Sequence, residues 1–309
     1  MTASSLLMLI LASVAVLAQV LALLKLSKKH NSVHNYTDGA GFLPASFCKG
    51  VKMTDTVLFE DERLDIVNEN IRLIQKKNGL TFGTDAYLLA AFMRTAKNAR
   101  VLELGGGTGI ISLLCASRKK FKEIYIAEIQ EDFAELCRRN ASINGLDRTV
   151  KTLCSDVRDL RAESFGGELD IVFSNPPYMR ADSGKRNEHD AKFIARHEVC
   201  GGIEDFCAAA SRLLKFGGLF YCVYRPDRMC DLLSAMKGHN LEPKRMTFVS
   251  ADETSSPSMM LVEAKKGGST GLKMTRPLFL HLCDKDKSGH RSESEDAKKI
   301  YESCSFEAF

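Results

Sequence analysis

The chain has 309 residues, of which 45% are apolar and 27% charged, and its formal net charge at pH 7 is +4. This is the composition of an ordinary globular protein, and a chain of this length can bury a sizeable apolar core. Length and composition therefore exclude a protein that is disordered throughout. The mild positive charge permits a polyanionic partner without requiring one.

The ten cysteines are scattered singly along the chain, and none forms a Cys-x-x-Cys pair. A zinc site needs clustered ligands at short spacings, so we predict no metal site. Unclustered thiols in a chain of this length favour a reducing compartment over a disulfide framework.

The N-terminal region is dominated by residues 6–24, which are almost unbroken apolar sequence followed by several basic residues. As a helix with a rise of about 1.5 Å per residue, this segment approaches the thickness of a bilayer core. Three interpretations stay open. They are a membrane anchor with the rest of the chain in the cytoplasm, a cleaved signal, and upstream sequence attached to a body that begins near Met53. The signal is disfavoured because no basic residue precedes the segment.

From about residue 70 the sequence alternates between apolar strand patterns and helical patterns. The first helix ends at Phe92 and has Thr84 or Asp85 as its N-cap. Further helices are predicted over residues 109–117, 131–143, 204–215 and 226–236, and strands over residues 100–104, 123–128, 150–154, 169–174, 219–224, 245–250 and 259–263. This order predicts an α/β fold with a mostly parallel seven-stranded sheet, covered on both faces, whose last two strands form an antiparallel edge hairpin. Ligands of such sheets bind beyond the carboxyl ends of the strands.

Composition divides the chain into four regions. We predict an apolar segment over residues 1–30, a linker over 31–55, a catalytic domain over 56–284 and a charged, loosely ordered tail over 285–309.

A glycine-rich turn joins the first predicted strand of the sheet to the helix that follows it. The turn begins with Glu103 and contains Gly105, Gly107 and Gly109, which permit tight backbone angles and close approach to a ligand. Glycine-rich turns are common, so this feature alone is a weak signal. It predicts that the turn binds a cofactor if acidic residues follow at the right strand ends.

Two acidic residues do follow at the ends of the next two strands. Glu128 is placed to accept hydrogen bonds from ribose hydroxyls, and Asp156 is placed to meet an adenine amine. The glycine spacing differs from the dinucleotide fingerprint, and the Glu103 carboxylate would repel a pyrophosphate. The same carboxylate suits an ammonium group, so S-adenosylmethionine is favoured over NAD.

The chemistry is predicted at Asn175-Pro176-Pro177-Tyr178, which follows an apolar strand. Two prolines cannot continue a sheet and hold a stiff turn with free carbonyls. The Asn175 side-chain oxygen and the Pro176 carbonyl would accept hydrogen bonds from an exocyclic amine and stabilise the positive charge that develops during methyl transfer. Tyr178 would stack on a base. Alone, the tetrapeptide is compatible with a plain turn, and the glycine loop is what favours catalysis.

These motifs resemble those of the bacterial valine-tRNA adenine-N(6)-methyltransferases. The matching stretches are residues 62–65, 82–86, 101–111, 128–130, 174–179, 194–198, 213–218, 225–226 and 241–245, within a similarity that runs from about residue 56 to 301. The resemblance implies a Rossmann-like class I methyltransferase domain that modifies an adenine next to the anticodon of tRNA.

The same resemblance implies roles for individual residues. It implies that Asn175 to Tyr178 form the target-amine site, that Glu103, Gly105, Gly107, Glu128 and Asp156 surround the cofactor, and that the turn ending at Asp85 covers its methionine end. Gly106 departs from related loops, in which threonine or serine is common. We expect this departure not to block binding.

Other functions stay open at this level. A protein glutamine methyltransferase of the release-factor type also carries Asn-Pro-Pro-Tyr, but a helical domain precedes its cofactor domain. DNA adenine and ribosomal RNA methylation are further enzyme alternatives, and a membrane-tethered RNA-binding protein is the non-enzymatic one. The polar connection over residues 180–198 is interpreted either as a substrate lid with basic side chains or as a solvated loop. The sequence does not specify the oligomeric state.

Overall fold

The computed structural model describes residues 56–78, 82–176, 201–285 and 291–306. The apolar segment 6–24, Tyr178 and the connection 180–198 lie outside these ranges. Within them, no helix has the length and apolar character needed to cross a bilayer. The same ranges contain no group of three or more His, Cys, Asp or Glu side chains arranged to hold a metal ion.

The elements alternate along the chain as the sequence pattern predicts. The helices are α1 (Thr84–Phe92), α2 (Ile110–Ser117), α3 (Glu131–Ile143), α4 (Ile203–Leu213), α5 (Met229–Gly238) and α6 (Glu295–Ser303). The strands are β1 (Glu62–Asn68), β2 (Ile71–Lys76), β3 (Ala96–Leu104), β4 (Phe121–Glu128), β5 (Val150–Cys154), β6 (Leu169–Ser174), β7 (Leu214–Tyr224), β8 (Leu241–Ser250), β9 (Met259–Lys266), β10 (Lys273–Met274), β11 (Leu278–Phe279), β12 (His281–Lys285) and β13 (Arg291–Glu293).

The central sheet has the order β10-β8-β9-β7-β6-β3-β4-β5, and β11 also pairs with β8. Strands β3 to β7 pair in parallel, whereas β9 runs antiparallel between β7 and β8. The predicted mostly parallel sheet of seven strands with an antiparallel edge hairpin is therefore confirmed. The short strands β10 and β11 add to it by covering the outer edge of β8.

Alternate residues of the strands point to opposite faces of the sheet, and each face has its own apolar core. Val101 and Phe173 belong to the cluster under α1, α2 and α6. Leu102 and Val172 belong to the cluster under α4 and α5. The sheet is buried on both sides, as expected for parallel strands joined by helices.

Several element boundaries differ from the sequence prediction. α4 ends at Leu213, because Leu214 already pairs with Leu169 at the start of β7. The helix predicted from Pro226 is a short 3₁₀ turn that leads into α5 at Met229. The hairpin β1–β2 has no counterpart among the predicted strands.

The expectation of a loosely ordered tail is wrong for residues 291–306. Ser294 caps α6 by accepting a hydrogen bond from the Ala297 amide at 3.0 Å, and Ala297 and Ile300 are buried. The buried Lys120 amine donates to the Cys304 carbonyl at 3.1 Å and to a carbonyl at the end of α1. A capping residue and an apolar helix face explain this order.

Candidate active site

The glycine loop lies between β3 and α2 at the carboxyl edge of the sheet. Gly105, Gly107 and Gly109 have φ angles of 72°, 55° and 79°, a region that residues with a Cβ rarely adopt. The Gly105 amide donates to the Ala127 carbonyl at 2.8 Å, which fixes the start of the loop to the end of β4. These positive φ angles are the tight backbone angles that the sequence predicted for the three glycines.

Gly106 is required for a different reason. A Cβ at this position would lie 2.1 Å from Ile126 Cγ2, far inside van der Waals contact. Serine or threonine therefore does not fit above an isoleucine at position 126. The departure from related loops follows from how closely this chain packs the loop on β4.

Glu103 lies near the end of β3, just before the loop, and is buried, with 1% of its surface exposed. One of its carboxyl oxygens, Oε2, accepts hydrogen bonds from the Ser112 amide at 3.2 Å and the Ser112 hydroxyl at 2.5 Å. Burial raises the pKa of Glu103 to about 8, against the lowering effect of Ser112. A cation at this site would restore the charged form. The sequence did not identify Ser112, which has no signal beyond its place on a buried helix.

Glu128 ends β4 and is also nearly buried. Its Oε2 accepts from the Gly107 amide at 2.9 Å and its Oε1 accepts from the Gln130 amide at 3.0 Å. Burial raises its pKa despite these bonds. The structure thus brings Glu128 to the glycine loop, and each oxygen retains a lone pair for a hydroxyl donor.

Asp156 follows β5 and is engaged by a residue that the sequence did not single out. The Arg158 guanidinium pairs with its carboxylate at 2.5 Å, and the Arg158 amide donates to Oδ1 at 2.9 Å. The hydrogen bonds from Arg158 lower the pKa of Asp156. The Ser155 amide donates to the Glu128 carbonyl at 3.0 Å, so the two acidic positions lie on neighbouring strand ends.

The predicted catalytic turn begins on the strand beside the loop. Ser174 pairs with Leu104 in the sheet, and its hydroxyl donates to the Leu104 carbonyl at 2.8 Å. Asn175 and Pro176 therefore begin the turn directly next to the start of the glycine loop. The Asn175 Nδ2 donates to Asp85 Oδ2 at 2.9 Å, so the end of β6 also contacts the first turn of α1.

Asn140 on α3 connects the loop to the hairpin and was not identified from the sequence. Its Nδ2 donates to the Thr108 carbonyl at 3.0 Å and to the Ile74 carbonyl at 3.1 Å, while its Oδ1 accepts from the Ile74 amide at 2.7 Å. The side chain is fully buried. An asparagine on the apolar face of an amphipathic helix was the available signal.

Comparisons with known proteins show which family and which proteins this chain is similar to. Residues 74–239 match the family described as the methyltransferase small domain. A curated tRNA1(Val) (adenine(37)-N6)-methyltransferase of Phocaeicola vulgatus is 28% identical over 187 residues, which are 59% of this chain and 76% of that protein. A protein of the same name from Shewanella halifaxensis is 23% identical over 220 residues, or 69% and 88% of the two chains.

Among solved structures, a predicted O-methyltransferase from Agrobacterium tumefaciens superposes with a TM-score of 0.56 at 21% sequence identity. The match covers 72% of this chain and 96% of that one. This likeness shows a shared fold.

Proposed function

The chain belongs to the methyltransferase small domain family, and we propose that it transfers the methyl group of S-adenosylmethionine to the N(6) amine of an adenine in tRNA, next to the anticodon. The observation that carries the proposal is the contact between the ends of β3 and β6. Leu104 pairs there with Ser174, so Asn175 lies next to the first residue of the glycine loop, and neighbouring strands are about 4.8 Å apart.

The acidic residues around the loop fit this cofactor. We assign Glu103 to the ammonium group, Glu128 to the ribose hydroxyls and Asp156 to the adenine amine, with Gly105, Gly107 and Gly109 shaping the loop. The burial of Glu103, which raises its pKa, supports this assignment, because a neighbouring ammonium group would favour the charged form of a buried carboxyl. S-adenosylmethionine supplies the electrophilic methyl group.

Asn175 and Pro176 act on the nucleophile. The lone pair of an adenine amine is delocalised into the ring, which makes the nitrogen a weak nucleophile. Hydrogen bonds from its two N–H groups to the Asn175 oxygen and the Pro176 carbonyl favour a more tetrahedral nitrogen and stabilise the charge that develops on it. The proton leaves after transfer, so the reaction requires no strong general base.

An adenine in folded RNA must swing out of its stack to reach this turn. The stacking role of Tyr178 stays a prediction.

The choice of tRNA rests on the related proteins, which are named as methyltransferases of tRNA1(Val). A tRNA substrate also leads us to propose that the protein acts in the cytoplasm. Release-factor glutamine methylation is the alternative enzyme function. It is disfavoured because the described residues ahead of α1 form the β1–β2 hairpin rather than a helical domain.

Radiolabelled S-adenosylmethionine offered in parallel to total tRNA, DNA, ribosomes and release factor tests the proposal. We expect label in tRNA, recovered as N(6)-methyladenosine after nuclease digestion and mass spectrometry. Label confined to release factor would show that the substrate is protein glutamine.

A substitution of Asn175 tests the role proposed for its side-chain amide. Asn175→Ala removes an acceptor from the developing positive charge, so we expect kcat to fall by roughly 10²- to 10³-fold. Cofactor affinity, measured by calorimetry, should stay within about twofold, because the glycine loop is unchanged. Full activity in this variant would refute the assigned role of Asn175.

A further inference from the structure

The Asn175 amide has two chemically different ends, and only one of them serves the proposed reaction. Its oxygen accepts hydrogen bonds, whereas its NH₂ group donates them. An amine with two N–H donors needs the oxygen. A neighbouring group must therefore prevent the amide from flipping, which would exchange the positions of its oxygen and its NH₂ group.

Asp85 is placed to do this. Its Oδ2 lies 2.9 Å from Asn175 Nδ2, across 90 positions of sequence. A carboxylate accepts hydrogen bonds and donates none, so the amide end that faces it must be the NH₂ group. The Asn175 oxygen is then directed away from Asp85.

The carboxylate of Asp85 is itself held in place. Its Oδ1 accepts from the Ala86 amide at 2.8 Å in the first turn of α1, where the helix dipole favours a negative charge. Each oxygen therefore has its own donor, one from the helix and one from Asn175. The carboxylate cannot rotate without losing one of the two bonds.

We propose that Asp85 is a positioning residue for methyl transfer, which holds the Asn175 amide in the orientation that presents its oxygen to the target amine. The bond also polarises the amide and makes its oxygen a stronger acceptor as positive charge develops on the amine. This inference rests on the proposed function, and it differs from the expectation that Asp85 contacts the cofactor.

Two substitutions separate positioning from a structural role. In Asp85→Asn the new side chain has a single oxygen, while two groups still donate to this position, the Ala86 amide and the Asn175 NH₂ group. When this oxygen accepts from the Ala86 amide, the new NH₂ group faces Asn175. The Asn175 amide then flips so that its oxygen accepts from that NH₂ group. In Asp85→Ala the Asn175 amide is merely released. We therefore expect the isosteric Asn variant to lose more kcat, by roughly 10- to 100-fold, than the Ala variant. A structural role predicts the opposite order.

A third substitution moves the carboxylate without removing it. A Cβ at Gly83 would lie 2.8 Å from Asp85 Oδ1, which is the end of a flexible side chain, and Gly83 has a φ of −111° that any residue adopts. Gly83→Ala should fold normally and displace Asp85 by a few tenths of an ångström. We expect kcat to fall by a factor smaller than in Asp85→Asn.

The control is Asp132→Asn, which removes an exposed carboxylate from the first turn of α3. It matches the change in charge and helix position, and we expect wild-type kcat. For all variants kcat and KM are measured with tRNA, and the dissociation constant of S-adenosylmethionine by calorimetry. The inference is supported if kcat is lower in Asp85→Asn than in Asp85→Ala while the cofactor affinity of both variants stays within about twofold of wild type.

Three outcomes overturn the inference. They are a milder effect in Asp85→Asn than in Asp85→Ala, a kcat within about threefold of wild type in both, and a loss confined to cofactor affinity. The last would make Asp85 a cofactor ligand. Failure of the wild-type protein to methylate tRNA would instead refute the proposed function.

The contact is also tested without a substrate. In ¹⁵N-labelled protein, the Asn175 side-chain NH₂ signal, identified by its loss in Asn175→Ala, should shift on Asp85→Ala and stay unchanged in Asp132→Asn. An unshifted signal would overturn the contact whatever the substrate.

Discussion

Glu103 links the stability of the cofactor-free protein to pH, because its carboxyl is buried and titrates with a pKa of about 8 instead of the ordinary 4.5. Between these values the folded state binds more protons than the unfolded state, so the free energy of unfolding falls as pH rises. The slope for one group is at most about 1.4 kcal/mol per pH unit. Glu128 acts in the same direction.

We therefore expect urea unfolding of the cofactor-free protein to give a lower free energy at pH 8 than at pH 5. Glu103→Gln removes this titration and should flatten the dependence, leaving the contribution of Glu128. Equal slopes for the two proteins would mean that Glu103 is charged in the folded state at neutral pH.

Gly106 and Ile126 form a packing pair at the same scale. Gly106→Ala forces a methyl group into Ile126 Cγ2, so we expect a loss of about 1–3 kcal/mol in the free energy of unfolding and weaker cofactor binding. Ile126→Ala removes the obstructing methyl at its own cost in packing. The double variant should be more stable than the sum of the two losses predicts, by about 0.5–3 kcal/mol. Additive losses in a double-mutant cycle would refute the clash.

At the scale of elements, Asn140 of α3 and Asn144 at the C-terminal cap of that helix attach the hairpin to the body through different contacts. Asn140 bonds both β2 and the glycine loop, whereas Asn144 bonds Arg72 of the hairpin and contacts its own helix. This difference makes the second residue a matched control for the first.

Asn140→Ala leaves buried groups of Ile74 and Thr108 without partners, so we expect a loss of about 2–3 kcal/mol in stability together with weaker cofactor binding. Asn144→Ala should lower stability by a smaller amount and leave cofactor affinity unchanged. Thermal unfolding and calorimetry measure the two effects. An equal loss of affinity in both variants would mean that the hairpin, rather than the Thr108 bond, supports the loop.

At the scale of the whole molecule, the C-terminal helix is part of the core that carries the site. Ile300 on α6 is buried, and the Tyr87 hydroxyl of α1 donates to the Tyr301 carbonyl at 2.8 Å. The helix that presents Asp85 is therefore packed against the last helix of the chain.

Ile300→Ala should reduce the free energy of unfolding by about 2–4 kcal/mol, as expected for a large-to-small change in a packed core. The exposed Lys299→Ala on the same helix should change it by less than about 0.5 kcal/mol. Chemical denaturation of both variants decides the matter. An Ile300→Ala protein as stable as the wild type would mean that the tail is a loose attachment after all.

Local patterns in the sequence were enough to predict the sheet, the glycine loop and the position of Asn175 at the end of a strand. The spacing of apolar residues identifies buried strands and helices, and the ends of parallel strands meet at one edge. Glu103, Glu128 and Asn175 were therefore expected near one another before their contacts were known. The hairpin β1–β2 and α6 were not predicted, because such short segments gain most of their stability from the body they pack against rather than from their own sequence.

The partners of the site residues were decided by the tertiary structure alone. Ser112 on Glu103, Asn140 on the loop and Asp85 on Asn175 are pairings that no local pattern specifies. The reason is that such contacts depend on which helix turn packs above which strand end, to within about the length of one hydrogen bond. Periodicity determines which face of an element is buried, whereas packing of the whole chain determines what each buried polar group meets.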